Sequence, residues 1–170
     1  MNSEKGNYIC KIANEEEMNI KWDYEIEHAT KKDNWIVWKK ENLQRFKNGY
    51  IIPYYGLLDG RIICECTAVI DNTFIQNSEG LIDGHTAYLS AFRTVEEYQG
   101  QGYFSKLFKF MIEDLIKRGY TRVTLGVEPD ELKNKAIYTK YGFTNHIKDC
   151  KEYYPDGTEI LVEYYSKTLK

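Results

Sequence analysis

Apolar positions along the chain change period several times. Met18, Trp22, Ile26 and Ala29 recur at helical spacing behind the acidic run Glu15 to Glu17, which suits the positive end of a helix. The stretch before it, NYICKIA (7–13), reads as a short strand. Asp33 and Asn34 are cap-forming residues and predict a second helix through WIVWKKENLQRF. Two apolar runs within YIIPYYGLLDGRIICECTAVI (50–70) meet at Asp59-Gly60, the chemistry of a two-residue hairpin turn. In the second run Ile62, Cys64, Cys66, Ala68 and Ile70 share one face; Ile63, Glu65, Thr67 and Val69 share the other. Glu65 is the lone charge on its face.

Residues 71–85, DNTFIQNSEGLIDGH, carry turn residues at both ends and no clear period, so they read as a loop or short insertion. A strand TAYLSAFRT (86–94), a glycine turn and an amphipathic helix follow within EEYQGQGYFSKLFKFMIEDL (96–115). RVTLGV (122–127) is a further strand, and Asp130 to Tyr141 reads as a helix stopped by Gly142, with Phe143 just beyond. Two late strands, around TNHIKD and EILVEYY, finish the pattern. The alternation gives an α/β (α+β) chain, and 170 residues without repeats or low-complexity tracts fit one domain over 1–170.

Composition removes several function classes. The chain is 42% hydrophobic and 29% charged, with net charge -3 and scattered lysines and arginines. No basic footprint for nucleic acid is present. The sequence shows no apolar run of membrane-spanning length, and MNSEKGNYIC lacks the apolar stretch of a secretory signal. A soluble cytoplasmic protein with no membrane partner is expected. Of the four cysteines, Cys64 and Cys66 share a strand face. Buried core and a metal or redox pair are both open for them; the missing CxxC spacing and second pair favour core, so no metal is expected.

The strand, glycine turn, helix and strand of residues 86–127 form a phosphate-binding arrangement in physical terms. The first turn of a helix leaves backbone N–H groups unpaired, the macrodipole adds positive charge there, and glycine lets an anion approach bare backbone. A dinucleotide fingerprint requires a third glycine where Ser105 stands, and a P-loop requires Gly-Lys-Ser/Thr where the chain has Gly-Tyr-Phe. A plain tight turn is the remaining alternative.

The stretch YQGQGYFSKLF resembles the acetyl-CoA-binding motif of the GNAT N-acetyltransferase superfamily. Gln99, Gly100, Gln101, Gly102 and Tyr103 fit it, while Phe104 stands where Gly or Ala is usual. NKAIYTKYGF (134–143), about thirty residues downstream, resembles that family's later motif, a helix with Tyr four residues before Gly-Phe. The resemblance covers about residues 86–143. It implies a mixed, mostly antiparallel sheet splayed between its fourth and fifth strands, with helices on both faces and acetyl-CoA wedged in the split.

Carried onto this chain, the resemblance implies that backbone N–H groups of Gln99 to Tyr103 cradle the pyrophosphate and that edge groups of Phe92 and Thr94 bond the pantetheine. It gives Tyr138 the role of proton donor to the leaving thiolate and places Asn134, one turn earlier, beside the pantetheine arm. An amine of pKa about 10.4 must lose a proton before it attacks, so a base is needed. Glu128, Glu65 and His85 are the candidates, with water as the alternative. A backbone N–H near Phe92 is the expected oxyanion donor. Trp35, Trp38, Tyr54 and Tyr55 are expected either as acceptor-pocket lining or as aromatic core. The implied function is direct acetyl transfer to a primary amine of a small molecule or peptide, without metal or covalent enzyme intermediate; a homodimer is a possible assembly. A catalytically silent CoA-binding module is the alternative, and a nucleotide-binding protein using the same helix terminus is a third.

Overall fold

The computed structural model describes residues 6–169. Residues 1–5, part of the segment read for a secretory signal, and residue 170 lie outside the described residues. In chain order the elements are β1 (Tyr8–Ile12), α1 (Glu15–His28), α2 (Lys32–Lys47), β2 (Ile51–Leu58), β3 (Arg61–Val69), β4 (Thr86–Thr94), α3 (Tyr103–Lys117), β5 (Arg122–Val127), α4 (Leu132–Lys140), β6 (Asn145–Tyr153) and β7 (Glu159–Thr168).

Local chemistry explains most boundaries. Asn14 caps α1 by accepting from Glu17 N at 2.8 Å, while Glu17 Oε1 accepts from Asn14 N at 3.0 Å, a reciprocal capping box. Asp59 and Gly60 both take positive φ, 49° and 82°, as the two-residue turn between β2 and β3 demands. Leu107, Phe108, Met111 and Leu115 recur on one side of α3 and are buried, each such side chain contributing about 1.5–3 kcal/mol. Gly142 ends α4 region at φ 99°, and Phe143 beyond it is 2% exposed.

Two expectations are corrected here. Asn34 does not cap α2: the helix starts at Lys32, and Asn34 is buried inside its first turn, bonded to Asp156 instead. A tertiary partner has replaced the local cap. The helix expected from Asp130 is shorter, because Glu131 N bonds Glu128 O in a turn that precedes it.

The seven strands lie in the order β1-β2-β3-β4-β5-β7-β6. All neighbours are antiparallel except β4 and β5, which pair only from Thr86↔Arg122 to Tyr88↔Thr124. Past that point the two strands part, as the splayed sheet requires. One face packs Tyr54, Cys64, Cys66 and Leu89 against α3, with Tyr138 and Tyr141 of the α4 region beside them. The opposite face packs Tyr55, Leu57 and Val69 against Met18 and Trp22 of α1. The two cysteines of β3 thus belong to the core, and burial pushes the Cys64 thiol up to about 11. Among the described residues no group of His, Cys, Asp or Glu is arranged to hold a metal, and no helix is long and apolar enough to cross a membrane.

Candidate active site

Where β4 and β5 part, a cleft of about 590 Å³ opens on the α3 face, within the usual range of ligand sites. Phe92, Thr94, Gln99, Gly102, Asn134 and Tyr138 line it. The turn between β4 and α3 holds Gly100 at φ 74° and Gly102 at φ 86°. A Cβ at either position would meet no atom within 4 Å, so conformation and not crowding demands glycine. Gly102 is the N-cap of α3 and provides no side chain to the helix start. The first helical bond runs from Lys106 N to Gly102 O at 3.3 Å, which leaves the amides of Tyr103, Phe104 and Ser105 without intrahelical partners.

Side chains brace this turn and leave its backbone available. Gln99 Nε2 donates to Thr94 O at 3.0 Å, and Gln101 Nε2 donates to Glu97 O at 2.9 Å. Tyr8 Oη donates to Tyr103 O at 2.8 Å, with the two rings 4.7 Å apart. Phe104, the departure from the motif, lies 5.5 Å from the Phe92 ring and 6.0 Å from Tyr141. It thickens the aromatic wall of the cleft.

Sequence reasoning missed a bulge in β4. The β3 register runs from Thr67↔Ser90 to Glu65↔Arg93, so Ala91 and Phe92 have no registered partner there. Ala91 takes φ 58°, a left-handed conformation that alanine disfavours. A bulge bends its strand and re-aims side chains. This one sits at the wall of the split, and nothing in the alternation of TAYLSAFRT announces it.

Tyr138 stands in the same cleft, its ring 5.1 Å from Phe92. Burial, and then the neighbouring Cys66 and Glu131, push its phenol up to about 12. Asn134 donates through Nδ2 to Glu131 Oε2 at 3.1 Å. Glu128 follows β5 directly. Its carboxyl is raised by partial burial, then by a hydrogen bond with Glu131 and by Asp130 and Glu152 nearby.

Glu128 is not among the residues that line the cleft, and the other candidates lie elsewhere again. Glu65 lies on the α1 face, with Lys21 Nζ 2.9 Å from its Oε2. The approach makes an ion pair, although that oxygen has no well-aligned hydrogen bond. His85 precedes β4, seven residues from Phe92 and therefore about 23 Å along an extended strand. Proton transfer at Phe92 is out of its reach. Tyr54 and Tyr55 are buried core at 0% and 1% exposure, and Tyr54 Oη donates to Asp114 Oδ2 at 2.5 Å. Trp35 and Trp38 do line a cavity, of about 400 Å³, on the α1 and α2 face. Glu152 lines it too. That residue escaped the sequence reading because it lies beyond the expected end of the TNHIKD strand.

Comparison with known proteins agrees with this architecture. N-alpha-acetyltransferase 30 of Schizosaccharomyces pombe is 30% identical over 74 residues, 44% of this chain and 49% of that protein, so the match spans about half of the relative's length. The ribosomal-protein-S18-alanine N-acetyltransferase of Escherichia coli superposes with TM-score 0.69 at 19% identity, over 96% of this chain and 95% of that one. A probable acetyltransferase of Staphylococcus epidermidis superposes with TM-score 0.73 at 11% identity, over 96% and 100%. A ribosomal L7/L12 alpha-N-protein acetyltransferase solved in complex with coenzyme A gives TM-score 0.66 at 15% identity, over 95% and 94%. At these identities the likeness is one of fold. Residues 12–143 match the model of the acetyltransferase (GNAT) family, and the chain belongs to that family.

Proposed function

We propose that this chain is an acetyl-CoA-dependent N-acetyltransferase that moves the acetyl group directly to a primary amine of a small molecule or peptide. The observation that carries the reading is the unpartnered first turn of α3, opening behind Gly100 and Gly102 into a cleft that also holds Tyr138. Backbone amides there suit a pyrophosphate, since both dipole and donors favour an anion. The edge of β4 at Phe92 and Thr94 and the side chain of Asn134 suit the pantetheine arm.

The chemistry follows from what aminolysis of a thioester requires. Glu128 takes one proton from the incoming ammonium, and its raised carboxyl makes it a better acceptor than an ordinary glutamate. Nitrogen then bonds the carbonyl carbon, and backbone N–H at the bulge near Phe92 stabilises the oxyanion. As the C–S bond breaks, the nitrogen sheds its second proton and the sulfur gains one. The products are amide, CoA thiol and one proton released to solvent. Tyr138, held near 12, stays a donor at neutral pH. Against a thiol of about 8.5 it stabilises the departing sulfur by hydrogen bonding more readily than it yields its proton. Glu65, neutralised by Lys21, has no step in this scheme. The four free cysteines accord with a reducing compartment such as the cytoplasm.

Calorimetric titration with acetyl-CoA, with NAD and ATP as controls, tests the reading. Selective binding of acetyl-CoA followed by thiol release with an amine supports it. Binding without turnover of any amine would favour the silent CoA-binding module, and preference for NAD or ATP would remove acetyl-CoA from the site.

A further inference from the structure

The tryptophan-lined cavity, on the opposite side of β4 from the cleft, has a wall chemistry that says what fits it. Its lining includes Trp22, Trp35 and Trp38, which are all the tryptophans of the chain. Trp35 stands 6.0 Å from Trp22 and 5.2 Å from Trp38, so the three rings form one continuous aromatic surface. Ser90, Ala91 and Arg93 form the wall beside the bulge, and Arg93 also borders the acetyl-CoA cleft. An occupant of this cavity therefore lies next to the point where β4 leaves β5.

Charge pairing around the cavity is uneven. Glu41 faces Arg45 at 3.7 Å, Glu65 faces Lys21 at 2.9 Å, and Arg93 is held by Glu25 at 2.5 Å and lies over the Trp35 ring at 4.1 Å. Glu152 has no basic partner among the described residues. It accepts a hydrogen bond from Tyr164 Oη, and its remaining acceptor capacity is directed to no cation. A partly buried carboxylate without a counter-charge, beside an aromatic surface, is a setting that favours an ammonium ion.

Two segments roof the cavity on one side only, with Phe74 76% and Tyr153 52% exposed. Phe74, Ile75 and Gln76 of the 71–85 loop line that side, together with Tyr153 at the end of β6 and Pro155 just beyond it. Gln76 fixes the two together: its Nε2 donates to Tyr153 O and its Oε1 accepts from Tyr153 N, both at 2.9 Å. Arg45 adds a donor to Phe74 O at 3.0 Å. A volume of about 400 Å³ is at the small end of ligand sites and suits a compact molecule better than the extended end of a protein chain.

Resting on the acetyltransferase reading above, we infer that the tryptophan-lined cavity is the acceptor site and that it takes a compact primary amine with an apolar body, its ammonium group held by Glu152. The acceptor class is then a small organic amine and not a protein N-terminus, unlike the ribosomal-protein acetyltransferases whose fold the chain shares.

Because every tryptophan lines the cavity, intrinsic emission reports its occupancy without any turnover. Phenethylamine and an alanyl tetrapeptide serve as probes, each titrated alone. The expected result is a saturable emission change with phenethylamine, absent with the peptide, and weakened about tenfold in Glu152→Gln. Ser90→Leu, which fills the cavity from its β4 wall, is a second variant and should abolish the change while calorimetric binding of acetyl-CoA persists. With acetyl-CoA added, thiol release should follow the same order of substrates. No emission change with phenethylamine, a change that both variants keep, or acetylation of the peptide in preference to phenethylamine overturns the assignment. Those outcomes leave the acetyltransferase reading standing, since that reading fails only if acetyl-CoA does not bind selectively or if no amine at all releases its thiol.

Discussion

The Tyr138 and Phe92 rings approach to 5.1 Å across the split, which joins α4 to the bulged end of β4 at the place where a thioester would react. The contact fixes the phenol without using its hydroxyl. Tyr138→Phe keeps the ring packing and removes only the donor. A hydrogen bond to a developing anion is worth about 1.5–3 kcal/mol, so kcat should fall roughly 10- to 100-fold with little change in acetyl-CoA affinity. With the phenol near 12, no alkaline loss of rate from this group is expected below about pH 10. Steady-state kinetics with paired calorimetry decide it, and an undiminished kcat would remove Tyr138 from the chemistry.

Glu128 gives a prediction with opposite signs for rate and stability. Its carboxyl is raised by burial and by Glu131, so the acid limb of kcat/KM should fall above the ordinary value of about 4.3. Glu128→Gln should remove that limb and lower kcat/KM by about 10²- to 10⁴-fold. A raised value also means that the folded chain holds this proton more tightly than the unfolded one. The stability it contributes is present below about pH 4.3 and lost as pH rises through the folded value. At pH 7 the Gln variant should therefore melt no lower than the parent. A pH–rate profile and calorimetric melting check both halves; an intact acid limb in the variant would assign the base elsewhere.

Lys21 and Glu65 pair at 2.9 Å with only 8% and 4% of their side chains exposed, and Lys21 also lies 3.5 Å over the Trp22 ring. Burial lowers the Lys21 ammonium while Glu65 restores part of the loss. Removing one partner leaves a charge buried alone, which costs about 3–5 kcal/mol, whereas exchanging both for apolar residues is often neutral. Glu65→Leu should thus lower the melting temperature sharply and Lys21→Met/Glu65→Leu should recover most of it. Activity of the double variant adds a second readout. Retained turnover fits a structural pair, and folded but inactive protein would return Glu65 to the list of bases.

Much of this architecture is local and therefore legible in the sequence. Asn14 with Glu17, Asp59 with Gly60, and Gly142 before Phe143 each carry their turn or cap within four residues. The glycine turn before α3 is legible for the same reason. Long-range choices are not. Placing β7 between β5 and β6 depends on pairings such as Leu125↔Tyr165, forty residues apart, that leave no mark on either strand's alternation. The left-handed Ala91 is held by its surroundings against its own preference. Glu152 reads as one charge in an outer strand until the cavity around it is known. The roles of Glu65 and Asn34 turn on Lys21 and Asp156, partners that local spacing does not reveal.

Gly102 holds φ 86° with open space where a Cβ would stand, so a side chain there costs conformational energy alone. Gly102→Ala should destabilise the fold by roughly 1–2 kcal/mol and weaken acetyl-CoA binding as the first turn of α3 shifts. Asn tolerates the left-handed region better than Ala, so Gly102→Asn should recover part of the stability. Melting curves and calorimetric titration of both variants test this. An Ala variant with parental stability would show that the turn does not depend on this conformation.

Asn34 and Asp156 clip α2 to the turn between β6 and β7, next to the roof of the tryptophan-lined cavity. Asn34 Nδ2 donates to Asp156 Oδ2 at 3.1 Å and Asn34 Oδ1 accepts from Asp156 N at 3.0 Å. Asn34 is only 2% exposed, so Asn34→Ala leaves backbone N–H of Asp156 without its partner and should cost about 1–3 kcal/mol. Asp156 itself is exposed, and the Thr158 backbone N–H, followed by the Thr158 side chain, Asn34 and Lys31, brings its carboxyl down to about 2. A depressed carboxylate stabilises the fold above its unfolded value of about 3.9, and that contribution is lost as pH falls through 2. Acid melting of the parent should therefore steepen between about pH 4 and pH 2, and Asp156→Asn should flatten that part of the curve. If the clip also holds the cavity roof in place, Asn34→Ala should weaken phenethylamine binding more than acetyl-CoA binding. Equal loss of both ligands would trace the effect to general destabilisation instead.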